Sequence, residues 1–329
     1  MARNQADFFD RLQSVTEAFL TRRNRIKRIK KEKQKAKHPV RDWIEAFVWA
    51  AGMVLLANQY LIQAYVIPSG SMIDTLLIGD RLFVNKLVYG PELLPGVAKM
   101  PSVFKPERND IIIFENPSYI SRGPVFDIAQ RIIFMLTISL IDIDRDEHGQ
   151  PRAHFLIKRG VGMSGDRFVM ENGEMKILFA GNDRWTDERG YAAQRGWTHT
   201  ITRLMEEDHY PDLVMAGKAA AWQDMGLPVP EYLRDANMLA ASMRYPDFLA
   251  HEKARLETLR SAMPHNRRYA TRLAKLSLGW YVPDGRIFPL GDNRDNSRDG
   301  RHFGAVRLSK VLGKGTFIFW PMQRIGTFH

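Results

Sequence analysis

With 329 residues and an apolar fraction of 45%, the chain is long enough to form one large or two ordinary globular domains. The absence of cysteine excludes a disulfide framework, a thiolate metal site and a cysteine nucleophile. The formal charge of +11 is uneven, because residues 21–41 hold eleven Lys or Arg and one Glu while the rest of the chain is almost neutral. The high pI therefore reflects one tail and not a basic domain.

The N-terminal part predicts a basic helix. Apolar residues from Phe8 to Phe19 recur at helical spacing, and the predicted helix covers residues 5–37. The basic run has two readings, an arm for nucleic acid or a cytosolic flank held near anionic lipid. Because an apolar segment follows at once, we favour the flank, expect no nucleic-acid partner and assign residues 1–42 to a cytoplasmic basic helical tail.

The apolar segment that follows, residues 43–66, predicts a transmembrane anchor. Twenty-odd helical residues cover about 30 Å, enough to cross a bilayer. About forty residues precede the segment and no Ala-x-Ala site follows it, so an uncleaved anchor fits better than a cleavable signal peptide. The positive-inside rule then places the N-terminus in the cytoplasm and everything after Val66 on the far side. The alternative is a buried helix of a soluble core.

Short alternating segments after the anchor predict a mainly β domain of barrel or folded-sheet type. We assign residues 67–179 and 277–329 to this domain, with a turn at Glu171–Glu174 between two of its strands. The expected strands cover residues 81–89, 110–115, 154–159, 167–170, 175–179, 280–282, 287–290 and 313–320.

Two insertions interrupt this domain. Residues 124–142 contain an apolar run of only ten residues, too short to span a bilayer, and predict a core or interfacial helix. Residues 180–276 are polar, follow helical patterns and predict a helix-rich insertion in which we find no chemistry.

Three stretches carry residues suited to chemistry. The turn Pro68–Met72 can present a serine hydroxyl as a nucleophile. Lys158 ends an apolar strand, where its ammonium group would be partly desolvated, and glycines after it allow close backbone approach. The third stretch, Gly291–Arg301, alternates Asp, Asn and Arg, which favours ion pairs over a metal site.

Together with the apolar helix, these stretches resemble the type I signal peptidase (leader peptidase) family of membrane-anchored Ser/Lys proteases. The resemblance covers residues 43–118, 152–180 and 277–320. It implies a signal-peptidase-like catalytic domain with helical insertions, preceded by one transmembrane helix. One departure is Asp74, where the family usually has Pro, and we expect it to affect turn rigidity more than chemistry.

The resemblance also implies roles for individual residues. Ser71 would be the nucleophile and Lys158 the general base, the Ser71 backbone N–H and the Ser69 hydroxyl would form the oxyanion hole, and Ser297 would orient the lysine. Structural ion pairs around the site would involve Arg159, Asp292, Arg294, Asp299 and Arg301. Shallow pockets that admit only small substrate side chains would be lined by Ile67, Pro68, Met72 and Ile157.

A lysine base requires a lowered pKa. A free lysine has a pKa near 10.4, so only about 1 in 2,500 is neutral at pH 7. Desolvation by apolar neighbours must lower the pKa by about 2 to 3 units. No carboxylate should contact the Lys158 ammonium group, because an opposite charge would raise the pKa again.

Other assignments are weaker. Ser102–Lys105 matches the Ser-x-x-Lys motif of penicillin-binding enzymes, but the companion motifs are absent in proper context. His302 lies near the last motif, and we interpret it as structural because Lys158 already supplies a base.

We therefore expect a serine endopeptidase of the bacterial inner membrane that cleaves signal peptides from exported preproteins through an acyl-enzyme. Its expected partners are those preproteins and membrane lipid, with no metal and no cofactor. The catalytic domain would face the periplasmic or extracellular side, behind a single membrane pass. The alternative function is a catalytically inactive, membrane-anchored binding or assembly protein of the secretion machinery, with the helical insertion as its working surface.

Overall fold

The apolar stretch near the N-terminus forms one long helix, α1, at Pro39–Tyr60. The computed structural model describes residues 20–28, 39–94, 98–102, 104–137, 140–147, 149, 152–243 and 246–328. The chain divides into two compact units, Met1–Val54 and Leu55–His329. In the smaller unit, residues 20–28 are helical, and the remainder of the predicted helical tail up to residue 38 lies outside the described residues.

The predicted anchor over residues 43–66 is wrong at its C-terminal end. Ile62–Val66 is a β-strand that pairs with Arg81–Asn85. Before it, Asn58 donates to the Met135 carbonyl at 3.3 Å, which ties the polar end of α1 into the larger unit. Within the part of the chain that the structure describes, no helix combines the length and the apolar character needed to cross a membrane.

The described residues form fourteen strands and, after α1, seven further α-helices. The strands are β1 Ile62–Val66, β2 Arg81–Asn85, β3 Glu92–Leu94, β4 Ala98–Lys99, β5 Ile111–Glu115, β6 Phe155–Gly162, β7 Arg167–Glu171, β8 Glu174–Leu178, β9 Trp185–Asp187, β10 Trp280–Tyr281, β11 Arg286–Leu290, β12 Val306–Arg307, β13 Val311–Trp320 and β14 Gly326–Thr327. The helices are α2 Pro124–Leu136, α3 Glu188–Gln194, α4 Tyr210–Asp224, α5 Glu231–Ser242, α6 Phe248–Ala262, α7 Arg267–Leu278 and α8 Gly300–Phe303.

The main sheet is antiparallel and has eight strands in the order β1-β2-β13-β5-β6-β11-β12, with β14 added beside β13. Some of its strands alternate between buried and partly exposed residues, as Arg81–Asn85 does. Others are buried along most of their length, such as Ile111–Glu115, which has four buried residues in succession. Apolar side chains from both ends of the β1-to-β5 run meet in one core, which requires the sheet to curl. That core contains Tyr65, Ile67, Met72, Leu76, Leu82, Val84, Ile111, Ile113 and Ile318.

A second sheet of four strands has the order β10-β7-β8-β9. The predicted turn between β7 and β8 is confirmed, because Asn172 and Gly173 have φ values of 47° and 78°. Two consecutive residues with positive φ give the turn whose twist matches an antiparallel hairpin. Strand β9 comes from the segment assigned to the helical insertion, so that insertion completes this sheet.

Residues 180–276 are helix-rich, as the pattern predicted, and contain α3 to α6 and most of α7, which extends two residues past the expected boundary to Leu278. Helix α4 packs against α5 and α6, and α6 packs against α7. Residues 124–136 form α2, and its 13 residues cover only about 20 Å. Among the described residues more lie in α-helices than in strands, so the expectation of a mainly β chain holds for the sheets and not for the chain as a whole.

Candidate active site

Ser71 lies on a short 3₁₀ turn, Gly70–Met72, between β1 and β2. All three residues of the turn are buried. The side chain of Met72 packs into the core that the curled sheet encloses, and this contact fixes the turn against the sheet. The turn that carries Ser71 is therefore buried and held rigidly against the sheet.

Lys158 lies on β6 and reaches the same point from the opposite part of the sheet. Strand β6 is four strand positions from β1, a separation of about 19 Å in a flat sheet. In the curled sheet the Lys158 Nζ is 2.6 Å from the Ser71 Oγ and 2.9 Å from the Ile157 carbonyl oxygen. The two residues that the sequence singled out for chemistry are thus in hydrogen-bond contact.

The Lys158 amine is in an environment that favours its neutral form. Burial lowers the pKa of Lys158 from 10.5 to about 8, and the more distant charges of Asp299 and Asp292 offset only part of this effect. Among the described residues no carboxylate forms an ion pair with Lys158, whose side chain is 4% exposed. A substantial fraction of the amine is therefore neutral near pH 8, which is the condition for a general base.

The two nearby carboxylates are each held by an arginine. Arg159 donates from Nε and from Nη2 to the two carboxylate oxygens of Asp292, both at 2.8 Å. Arg301 donates to the Asp299 oxygens at 2.9 and 3.1 Å. Burial alone would raise the pKa of Asp299, but Arg301 lowers it overall and keeps the carboxylate charged. These pairs keep both carboxylates occupied at positions away from the amine.

Arg159 follows Lys158 directly on β6. Successive side chains of a strand point to opposite faces, so the base faces the nucleophile while the arginine faces the C-terminal loop. Arg294, expected among the ion-pair residues, pairs with Glu188 of α3, one of whose oxygens lies 2.7 Å from the guanidinium. Its partner thus comes from the helical insertion.

The two serines with expected supporting roles differ in their contacts. The Ser69 hydroxyl donates to the Ser71 Oγ at 3.4 Å, which places it beside the position expected for an oxyanion-hole donor. The Ser297 hydroxyl was expected to bond the lysine, but no hydrogen bond joins the two; Ser297 is buried beside Asp299 and helps Arg301 to lower the pKa of that carboxyl. It still borders the site, because a Cβ added to Gly291 would meet it and would come within 2.6 Å of the Ser71 carbonyl oxygen.

A cleft of about 590 Å³ opens beside the Ser71 and Lys158 pair. Apolar side chains make up much of its lining, and the segment between β5 and β6 contributes Gln130, Phe134 and Leu140. Each residue expected to line a substrate pocket borders this cleft, namely Ile67, Pro68, Met72 and Ile157.

The structure also brings in residues that the sequence did not identify. Glu188 is the partner of Arg294. The Thr75 hydroxyl donates to Asp292 at 2.6 Å and so supports the pair between Asp292 and Arg159. Asn293 contacts the backbone of the serine turn. Asn293 lies inside the Gly291–Arg301 stretch and could have been suspected from that position, whereas no motif surrounds Glu188.

Comparison with known proteins identifies the family. The model of the signal peptidase family, peptidase S26, matches residues 40–320, and the chain belongs to this family. It is similar to signal peptidase I of Haemophilus influenzae, with 26% identity over 301 residues that cover 89% of this chain and 74% of the relative. It is also similar to signal peptidase I of Aquifex aeolicus, with 24% identity over 81% of this chain and 79% of that protein. Signal peptidase I of Pseudomonas aeruginosa is 25% identical, over 84% of this chain and 75% of the relative.

The expectation of an enzyme is confirmed by this membership. The chain is a serine endopeptidase that cleaves signal peptides. Nothing in the comparisons favours the alternative of an inactive binding or assembly protein.

Replacement of Lys158 by Met should stabilise the fold at neutral pH. The pKa of Lys158 is near 10.5 in the unfolded chain and about 8 in the folded one. Below pH 10.5, folding must therefore either remove the proton from the amine or bury the charged ammonium group, and both cost free energy. We expect the variant to be more stable at pH 7 by about 2 kcal/mol, after loss of the amine's hydrogen bonds. The gain should shrink by about 2 kcal/mol between pH 7 and 9.5, because the folded wild-type amine loses its proton over this range while the unfolded one stays largely protonated, so the wild type becomes more stable as the pH rises.

Denaturant unfolding at the two pH values measures this difference. The exposed Lys275, replaced by Met, is the matched control and should show no such pH dependence. An equal effect of Lys158→Met at both pH values would contradict the proposed burial of the amine.

Proposed function

We propose that Ser71 is the nucleophile and Lys158 the general base of this signal-peptide-cleaving enzyme. The proposal is carried by one observation, the 2.6 Å contact between the Ser71 Oγ and a buried amine whose pKa is about 8. The neutral amine accepts the hydroxyl proton while the oxygen attacks the scissile carbonyl carbon. The ammonium group then gives its proton to the departing amine as the C–N bond breaks, which leaves an acyl-enzyme.

The second half of the reaction uses the same base. Lys158, neutral again, takes a proton from a water molecule whose oxygen attacks the ester carbonyl carbon. The bond to the Ser71 Oγ breaks, the oxygen regains a proton from the ammonium group, and the signal peptide leaves with a new carboxylate. We assign the oxyanion in both halves to the Ser71 backbone N–H and the Ser69 hydroxyl.

We propose precursor proteins with small residues before the cut as the substrates. The bulky side chains Ile67, Met72 and Ile157 line the cleft beside Ser71, and we infer that they leave room there only for small substrate side chains. A peptide with a large side chain next to the scissile bond would lift its carbonyl carbon away from the serine. Ser297 and the paired arginines are assigned a supporting role around this centre.

We further propose that the enzyme is held at a bacterial inner membrane by the apolar part of α1. In the smaller unit, Trp43, Phe47 and Trp49 are each at least 70% exposed, and large exposed apolar surfaces of this kind bind lipid or protein. The basic residues 21–41 precede them, which favours the cytoplasmic side for the N-terminus and the opposite side for the catalytic unit. Alkaline extraction of membranes and protease accessibility of the catalytic unit test this arrangement.

Cleavage should be abolished by Ser71→Ala and by Lys158→Ala. We expect each variant to lose at least about a thousandfold in kcat, because the nucleophile or its base is removed. The assay mixes the purified full-length enzyme in detergent with a labelled precursor. Matched controls are Ser242→Ala and Lys275→Ala on exposed helix surfaces, and these should cleave normally. Near-normal cleavage by either active-site variant would reject the assignment.

The rate should follow the titration of Lys158. Only the neutral amine acts as a base, so kcat/KM should fall about tenfold per pH unit below pH 8 and level off above it. A second buried lysine, Lys86, also has a pKa lowered by burial to about 8. A pH series with Lys86→Met separates the two residues, since this variant should keep the wild-type midpoint. If the midpoint shifts in Lys86→Met, the titration belongs to Lys86 and its assignment to Lys158 is wrong.

A further inference from the structure

The peptide unit that joins Gly70 to Ser71 is held by a side chain from the C-terminal loop. We propose that Asn293 is a positioning residue that fixes the direction of the Ser71 backbone N–H, and that residues 202–205 of the helical insertion hold Asn293 in place. This inference rests on the proposed function, in which the same N–H binds the oxyanion.

The contact acts through the planarity of the peptide bond. The Asn293 Nδ2 donates to the Gly70 carbonyl oxygen at 3.1 Å. That carbonyl and the Ser71 N–H belong to one planar peptide unit and point in opposite directions. A hydrogen bond that fixes the carbonyl therefore also fixes where the N–H points, and a rotated carbonyl would turn the donor out of the oxyanion hole.

Further bonds restrict the same turn. The Ile73 N–H also donates to the Gly70 carbonyl oxygen, at 3.4 Å, so both lone pairs of that oxygen are used. The backbone N–H of Asn293 donates to the Ser71 carbonyl oxygen at 3.1 Å. Asn293 thus contacts the carbonyl groups on both sides of the Ser71 Cα. Its side chain is buried, with 2% of the residue exposed, so water has little access to replace these bonds.

The helical insertion holds the chain on both sides of Asn293. The Thr202 N–H donates to the Asp292 carbonyl oxygen at 2.8 Å, and the Arg294 N–H donates to the Thr202 carbonyl oxygen at 3.0 Å. This is a short parallel bridge opposite Asn293. We call residues 202–205 the brace.

The brace also binds the side chain of Asp295. The Arg203 Nε donates to both Asp295 oxygens at 3.0 Å, and the Leu204 and Met205 N–H groups donate at 2.6 and 2.9 Å. Three donors on one buried carboxylate anchor the loop that carries Asn293. The insertion therefore has a defined task, which is to fix the C-terminal loop against the serine turn.

The kinetic signature follows from when the donor is used. The oxyanion exists in the transition state and not in the bound substrate, so a misdirected N–H lowers kcat and leaves KM almost unchanged. Loss of one oxyanion-hole donor typically costs about 10² to 10³ in kcat, and a donor that is free to rotate should cost less.

The test is Asn293→Ala in the full-length enzyme, with a labelled precursor as substrate. We expect kcat to fall about 10- to 100-fold, with KM within about threefold of wild type. The pH midpoint of kcat/KM should stay at the wild-type value, because Lys158 keeps its surroundings. Exposed Arg298 of the same loop, replaced by Gln, is the control and should keep wild-type kinetics.

A second variant guards against loss of folding. Asn293→Asp keeps the size of the side chain and its acceptor oxygen but removes the donor to the Gly70 carbonyl. If Asn293→Ala shows no cooperative thermal transition, Asn293→Asp should show the same loss of kcat. The inference is overturned if a folded variant keeps kcat within twofold, or if KM rises in proportion to the loss of kcat/KM.

The brace has its own test. Asp295→Asn is nearly isosteric and removes the charge that its three donors bind, and we expect the same pattern with a smaller loss of kcat, about 3- to 10-fold. Wild-type kinetics in this variant would overturn the role of the brace. Ser71→Ala separates the two levels of argument: if it still cleaves, the proposed function fails, whereas an inactive Ser71→Ala beside a fully active Asn293→Ala refutes only this inference.

Discussion

The burial of one amine without a carboxylate partner is the constraint on which this active site depends. Removing an ammonium group from water is costly, and proteins usually offset that cost with an opposite charge. At Lys158 the offset is missing, and burial lowers the pKa to about 8. A buried amine that is partly neutral near physiological pH therefore lies beside the Ser71 hydroxyl, and the fold carries the cost as a loss of stability.

The arginines around the site serve this constraint. Asp292 and Asp299 are close enough to affect Lys158, and either would restore a high pKa if it moved into contact. Arg159 and Arg301 hold these carboxylates with paired, charge-assisted bonds in buried positions. The ion pairs therefore have an electrostatic function in addition to a structural one, since each keeps a carboxylate away from the amine.

The sequence singled out two residues that meet in the folded chain, but it predicted the architecture around them less well. The roles expected for Ser71 and Lys158 came from the resemblance of three short stretches to one family, because a Ser-Gly turn or a lysine at the end of a strand is by itself an ordinary feature. Their contact could not be derived from local sequence, because it depends on the curl of a sheet whose strand order is not a local property. Strand β1 was missed because its residues continue an apolar run, and period-2 alternation is hard to recognise there.

The helical insertion supplies buried partners that could not be predicted from the sequence. No motif marks Glu188 or Arg203, since a charged residue on a polar helix or loop is normally a solvated one. In the folded chain Glu188 is buried against Arg294, and Arg203 binds Asp295. These bonds join segments about one hundred residues apart, so they could not be predicted from local sequence. An insertion that completes a sheet with β9 and supplies buried partners to the C-terminal loop is part of the catalytic unit, so its removal would leave Arg294 and Asp295 buried or half-buried without their counter-charges.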